Sequence, residues 1–316
     1  MTRRRWILLS VVLALVLVPF GFYYGLKHWT RYRIIELTKL PPEEPLPTDD
    51  PLTVLTKKAR LAEHARDYRA AVDLYTQALE DGSRPAAVRR DLIRQRAWAY
   101  EFSHQYDRAE ADYNAALQIE PVQLDFYSKR AFYFLRRGHH DEALADFRKG
   151  AELDPKDSGN PYGEGQVYDK LGQHEKAVER YTEAIRLNPT VTTYYRERGS
   201  AYNYLHKHNE AVADYDKAIS IGFSFSSLFP REEAMSNLGR GYALLQLERY
   251  RRAIDDFNVV LKVVPRSSTA LAWRGVAWQG LGNRDKAVAD YKSTLEIDSK
   301  SQRAIDGLKS LEAPRP

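Results

Sequence analysis

Small, aromatic and charged side chains return in a fixed order along most of this chain. Ala71, Ala109, Ala143, Ala177, Ala211, Ala253 and Ala287 follow one another at intervals of 38, 34, 34, 34, 42 and 34. Each is followed four positions later by a ring (Tyr75, Tyr113, Phe147, Tyr181, Tyr215, Phe257, Tyr291). Three positions beyond that, a small residue usually recurs (Ala78, Ala116, Gly150, Ala184, Ala218), with Val260 and Thr294 as the exceptions. Steps of four and three keep these side chains on one helical face, with polar residues between them. No run alternates at period two over a useful length, so strands are not expected. Gly138, Gly172 and Gly282 mark an inner turn, and Pro121, Pro155, Pro189 and Pro265 close units. Glycine ends one helix and proline follows the next, so the unit reads as helix A, tight turn, helix B, about fifteen residues each.

A charge row supports the same register. Helix A carries Arg96, Arg130, Arg198, Arg240 and Arg274 just before a small residue, and helix B carries Asp112, Asp146, Asp214, Asp256 and Asp290 just before the ring. The fourth unit has Glu164 and Arg180 instead. Matched acids point to internal pairing rather than to a polyanion-binding row. As exposed pairs they would contribute about 0–1 kcal/mol each and chiefly specify register.

These features resemble those of the tetratricopeptide repeat family, whose signature places small residues and aromatics at fixed offsets over 34 positions. The likeness is plainest in Tyr195-Arg196-Glu197-Arg198-Gly199-Ser200-Ala201-Tyr202 and Trp273-Arg274-Gly275-Val276-Ala277-Trp278. It covers residues 52–301 as seven units, near 52–85, 90–123, 124–157, 158–191, 192–225, 234–267 and 268–301. The resemblance implies an all-α, right-handed superhelix, an α-solenoid that counts as one elongated domain. Ala304, Ile305, Leu308 and Leu311 give residues 302–316 a terminal capping helix with a frayed tail.

The resemblance also implies that helix A residues on the concave side hold a segment of a protein partner. By repeat position that face includes Arg60, Arg94, Trp98, Lys129, Phe132, Arg136, Tyr162, Gln166, Arg196, Asn203 and Tyr242. Cations mixed with aromatics suit a peptide with carboxylates and apolar anchors. No three consecutive units supply the Lys, Asn, Asn, Lys, Arg clamp of the chaperone-tail subclass, which disfavours that partner. Two insertions break the period, four residues between units one and two and eight between units five and six. The second brings Phe223, Phe225 and Phe229 into a surface connection, a candidate docking patch.

Composition changes the picture mainly at the N-terminus. Residues 1–40 hold seven of the 48 Lys/Arg and one of the 43 Asp/Glu, leaving 41 against 42 elsewhere. The basic pI therefore belongs to the N-terminus, and the balanced repeats give no general electrostatic case for nucleic acid. After a basic tail (1–5), Trp6 to Tyr24 is uncharged. Those nineteen residues would span about 28 Å as a helix, enough to cross a hydrocarbon core. We assign 6–26 to a single transmembrane helix and 27–51 to a juxtamembrane segment and proline-rich spacer. The sequence Pro19-Phe20-Gly21-Phe22-Tyr23-Tyr24-Gly25 offers no small-x-small cleavage site, so an uncleaved anchor is expected. An exported soluble binder is the alternative. Arg3–Arg5 before the span and Lys27, Arg31 and Arg33 after it nearly tie the positive-inside rule. A short tail before a long domain favours repeats facing outward, and the family style points to a bacterial inner membrane with the repeats in the periplasm.

Signals for chemistry are sparse. Glycines 163/165 and 239/241 begin a dinucleotide fingerprint, yet the third glycine and a preceding strand are missing, and both pairs are repeat positions. His140, His174 and His208 share a turn position in successive units, about 10 Å apart, too far for one zinc site with ligands at about 2.0 Å. Without cysteine there are no disulfides or thiolate metal sites. No cofactor and no catalytic set are expected. The function read from sequence is a membrane-anchored scaffold, plausible in assembly of an envelope complex, with its oligomeric state open.

Overall fold

The computed structural model describes residues 50–119, 125–222 and 230–312. The assigned anchor and spacer, residues 1–49, and Phe223, Phe225 and Phe229 lie outside the described residues. No helix among the described residues is long and apolar enough to cross a membrane. The chain divides into two compact units, Met1–Val122 and Gln123–Pro316.

In the first unit, α1 (Pro51–His64) pairs with α2 (Tyr68–Leu79), and α3 (Ala86–Phe102) pairs with α4 (Tyr106–Leu117). The second unit begins with α5 (Asp125–Arg137), α6 (His140–Leu153), α7 (Gly159–Lys170), α8 (His174–Leu187), α9 (Thr192–Tyr204) and α10 (His208–Gly222). It continues with α11 (Pro230–Gln246), α12 (Tyr250–Val263), α13 (Ser268–Gly280), α14 (Arg284–Ile297) and α15 (Gln302–Glu312). Every described element is an α-helix; within each unit a helix A packs on its helix B, and that B on the next A. The first helix opens on proline at N1, with Asp50 accepting from the Leu52 and Thr53 amides at 3.0 and 3.1 Å.

Each A–B turn contains one left-handed residue, five positions before the unit's alanine. Gly138, Gly172 and Gly282 take φ of 79, 70 and 73°. In the other units Arg66, His104, His206 and Glu248 occupy the same place at 61, 64, 58 and 57°. A side chain there costs about 1–2 kcal/mol relative to glycine, so packing of the hairpin enforces the turn where its residue does not favour it.

The core explains the small residues. All seven alanines are fully buried, and the seven rings are between 0 and 4 % exposed. Each ring fills the space where helix axes cross. A Cβ added at Gly165 would stand 2.5 Å from the Tyr181 ring, and one at Gly275 2.7 Å from Tyr291. Gly163 and Gly239, each two positions before such a contact point, press on the rings of the preceding unit, Phe147 and Tyr215. The glycine pairs of the apparent dinucleotide motif are therefore helix-interior contact points for rings. Gly307 of α15 meets Tyr291 in the same way, which makes α15 the helix A of a further turn of the repeat. Ala304, Leu308 and Leu311 complete its buried side.

The charge row forms ion pairs in five hairpins. The Nε and Nη2 of Arg96, Arg130, Arg198, Arg240 and Arg274 donate to both oxygens of Asp112, Asp146, Asp214, Asp256 and Asp290 at 2.6–2.9 Å. These are not the exposed pairs expected from sequence, since the five aspartates are only 4–8 % exposed. Nη1 reaches back to the preceding helix B: Arg96 to Thr76 at 3.4 Å, Arg198 to Thr182 at 2.9 Å, Arg240 to Asp216 at 2.5 Å and Arg274 to Asn258 at 2.7 Å. In the fourth unit the equivalent three positions are Glu164, Arg180 and Arg148. The expected Glu164–Arg180 contact is electrostatic rather than hydrogen-bonded, and Glu164 lies 3.9 Å from Arg148 instead. Burial of its carboxyl outweighs both arginines and raises its pKa.

Candidate functional site

Three successive A helices of the second unit, α9, α11 and α13, frame a cavity of about 400 Å³. Arg196, Glu197, Ser200, Asn203 and Tyr204 line it from α9, and Met235, Leu238, Gly239 and Tyr242 from α11. Thr269 and Trp273 contribute from α13, and Tyr215 of α10 closes the floor. Gly239 admits the Tyr215 ring at that floor, and Asn203 Nδ2 donates to the Gly239 carbonyl at 3.2 Å, tying α9 to α11. Burial holds the Tyr215 hydroxyl well above the ordinary phenol range.

The rim is apolar and open. Tyr204 and Met235 are 67 % and 55 % exposed, the highest values among the large hydrophobic side chains described. His174 stacks on Tyr204 with ring centroids 4.5 Å apart, and its Nδ1 lies 3.0 Å from Asp169. Tyr242 stands edge-on to Trp273 at 5.0 Å. The Arg303 guanidinium of α15 covers the Trp273 ring at 3.4 Å.

Of the residues expected from sequence, Arg196, Asn203 and Tyr242 line this cavity. Arg196 is already engaged: its Nε and Nη2 donate to Glu197 at 3.2 and 2.8 Å. Tyr162 and Gln166 sit on α7, where the Gln166 amide donates to the Tyr162 hydroxyl at 3.0 Å and Tyr162 packs on Tyr194 at 4.9 Å. Burial pushes the Tyr162 hydroxyl up to about 12. Phe132 of α5 is edge-on to Phe147 at 4.9 Å, while Lys129 and Arg136 are exposed. In the first unit Arg60 is exposed and Arg94 half-buried, and Trp98 packs 5.6 Å from Tyr68 and 4.5 Å from Phe102. Phe132 thus packs within its own hairpin, while Trp98 packs on its own helix and on Tyr68 of the preceding hairpin. The sequence reading missed Tyr204, Met235, Leu238 and Trp273. Their signal was apolar character at helix A positions outside the repeat's own core pattern.

Stacked helical hairpins with an open groove across successive A helices define a repeat scaffold. Residues 165–203 match the model of the TPR repeat, and residues 94–158 and 238–301 match that of the tetratricopeptide repeat. The chain is a tetratricopeptide-repeat protein. Among solved structures it is similar to that from a functional characterization of Pseudomonas aeruginosa pilF, with a TM-score of 0.61 and 17% identity, covering 71% of this chain and 99% of that one. YrrB, described as a TPR protein with an unusual peptide-binding site, gives a TM-score of 0.54 at 19% identity over 62% of this chain and 97% of its own. A tetratricopeptide repeat protein from Parabacteroides merdae gives 0.54 at 16% over 83% and 99%. At such identities the likeness is one of fold. Heat shock protein STI1 of Saccharomyces cerevisiae is 33% identical over 79 residues, 25% of this chain and 13% of that protein.

Proposed function

We propose that the α9/α11/α13 groove binds a segment of another protein by taking up its apolar side chains, and that the chain works as a scaffold rather than as an enzyme. The observation that carries this is the gathering of Tyr204 and Met235, 67 % and 55 % exposed, on the rim of one cavity. Exposed apolar clusters in concave sites mark docking surfaces, and buried aromatic anchors dominate such binding. The peptide-binding site named for YrrB supports the reading. Selection of a displayed library of random twelve-residue peptides on the full chain tests it. Selected peptides are expected to bind a Tyr204→Ser/Met235→Glu variant at least about tenfold more weakly, the effect of losing roughly 1.4 kcal/mol. Both side chains are exposed, so the variant keeps its fold; equal affinity refutes the groove.

Residues 6–26 would tether this scaffold in a bacterial inner membrane with the repeats in the periplasm, serving assembly of an envelope complex. The support is the uncharged run from Trp6 to Tyr24 flanked by arginines and aromatics. Retention of the intact chain in carbonate-washed membranes is expected. Release into the wash, with a mass lacking the leader, would establish the soluble exported form instead.

A further inference from the structure

The groove continues onto the last described helix. Met235, Thr269 and Arg303 recur at the repeat interval and so hold one repeat position on α11, α13 and α15. Gly307 against Tyr291 fixes that register, because Gly239 meets Tyr215 in the same way. At this end the rim changes from apolar to cationic. The repeat's own arginines spend their guanidinium groups on aspartates, and Arg196 on Glu197. Arg303 has no carboxylate in salt-bridge reach among the described residues. Its guanidinium is held by the Trp273 ring, 3.4 Å away, and partial burial lowers its pKa, outweighing the neighbouring Tyr242 and Tyr291 hydroxyls. A cation stacked on an aromatic face keeps its N–H edge free and is already oriented, so less freedom is lost when it binds an anion.

We propose that Arg303 reads a carboxylate on the bound segment, so that the partner carries an Asp or Glu side chain beyond the apolar residue seated at Tyr204 and Met235. The inference rests on the groove reading. It moves the acid-recognising role from Arg196, which Glu197 occupies, to the terminal helix. Two hairpin layers separate Met235 from Arg303, about 20 Å at roughly 10 Å per layer. An extended peptide covers that in about six residues at ~3.3 Å each.

The test uses the selected twelve-residue peptides, synthesised with amidated C-termini, with Asp/Glu either kept or changed to Asn/Gln. Acid-to-amide exchange is expected to weaken binding to the full chain about tenfold, as loss of a charge-assisted hydrogen bond would. Arg303→Gln should weaken the acidic peptide by a similar factor and the amide peptide little, while Arg303→Lys keeps most of the affinity. Equal binding of the acidic peptide to wild type and Arg303→Gln, with Tyr204→Ser/Met235→Glu still impaired, overturns this inference and leaves the groove reading standing. If neither variant matters, both fall. Binding that needs a free C-terminal carboxylate also overturns it, because the acid would then be the chain end.

Discussion

Twelve residues before each buried ring stands the side chain that meets its outer edge. Where the ring is tyrosine, that residue is polar: the hydroxyls of Tyr75, Tyr113, Tyr181 and Tyr291 donate to Glu63, Glu101, Asp169 and Gln279 at 3.0, 3.4, 2.7 and 2.8 Å. Tyr215 has Asn203 in the same place as a hydrogen-bond partner. Where the ring is phenylalanine, at 147 and 257, the residue is Leu135 or Leu245. A buried hydroxyl needs a partner and a buried partner needs the hydroxyl, so the two positions change together. Tyr291→Phe alone should cost about 1 kcal/mol by orphaning Gln279, and Gln279→Leu alone about the same. The double variant reproduces the Leu/Phe combination and should be less destabilised than the two singles summed. Strict additivity in denaturant unfolding of the four proteins would show that the contact does not contribute. The Tyr/Phe alternation is plain in the sequence. Its partner became identifiable only when the A and B helices were packed.

At the level of elements, the staples of Arg96, Arg198, Arg240 and Arg274 each join three helices, the A and B of one hairpin and the B before it. The fourth unit inverts all three positions, with Glu164 between Arg180 and Arg148 where other units place arginine between an aspartate and a Thr, Asn or Asp. A carboxyl raised above 4.5 by burial contributes stability fully below the unfolded value, and that contribution is lost as pH rises through the folded value. Glu164→Gln should therefore gain in melting temperature relative to wild type as the pH rises above about 4.5. Glu164→Arg alone, facing two arginines, should lose about 3 kcal/mol or more, as an uncompensated buried charge does. Adding Arg180→Asp and Arg148→Asn should restore most of it. A triple variant no more stable than the single one would contradict the three-helix staple. The A/B pair was legible from its constant separation of 16 along the chain. Its third member was not, because that residue belongs to the neighbouring hairpin and two insertions shift its spacing.

For the whole molecule, repeats that touch only their neighbours confine a disturbance to adjacent hairpins and leave function to surfaces that several A helices share. The groove lies across one of the irregular intervals. The stretch from Ala211 to Ala253 is the longest step between successive core alanines, and the cavity takes its walls from α9 on one side of it and α11 on the other. All of its lining residues belong to the unit Gln123–Pro316. The peptide binding proposed for the groove would therefore be a property of that unit's surface, and the tether proposed for residues 6–26 would decide only where the surface is displayed.

The sequence by itself determined the all-helical class, the hairpin unit, the packing register and the A/B ion pairs, because a helical face is linear information carried by steps of three and four and by the longer repeat interval. The family resemblance implied a shared face for the helix A residues Arg196, Asn203 and Tyr242, without showing that Glu197 occupies Arg196. Only the tertiary structure decided that four A–B turns hold a side chain in the left-handed region, that rings pair with residues twelve positions earlier, and that Arg303 lies on Trp273. Those features depend on distances between helices that the chain reaches by folding, which no local periodicity encodes.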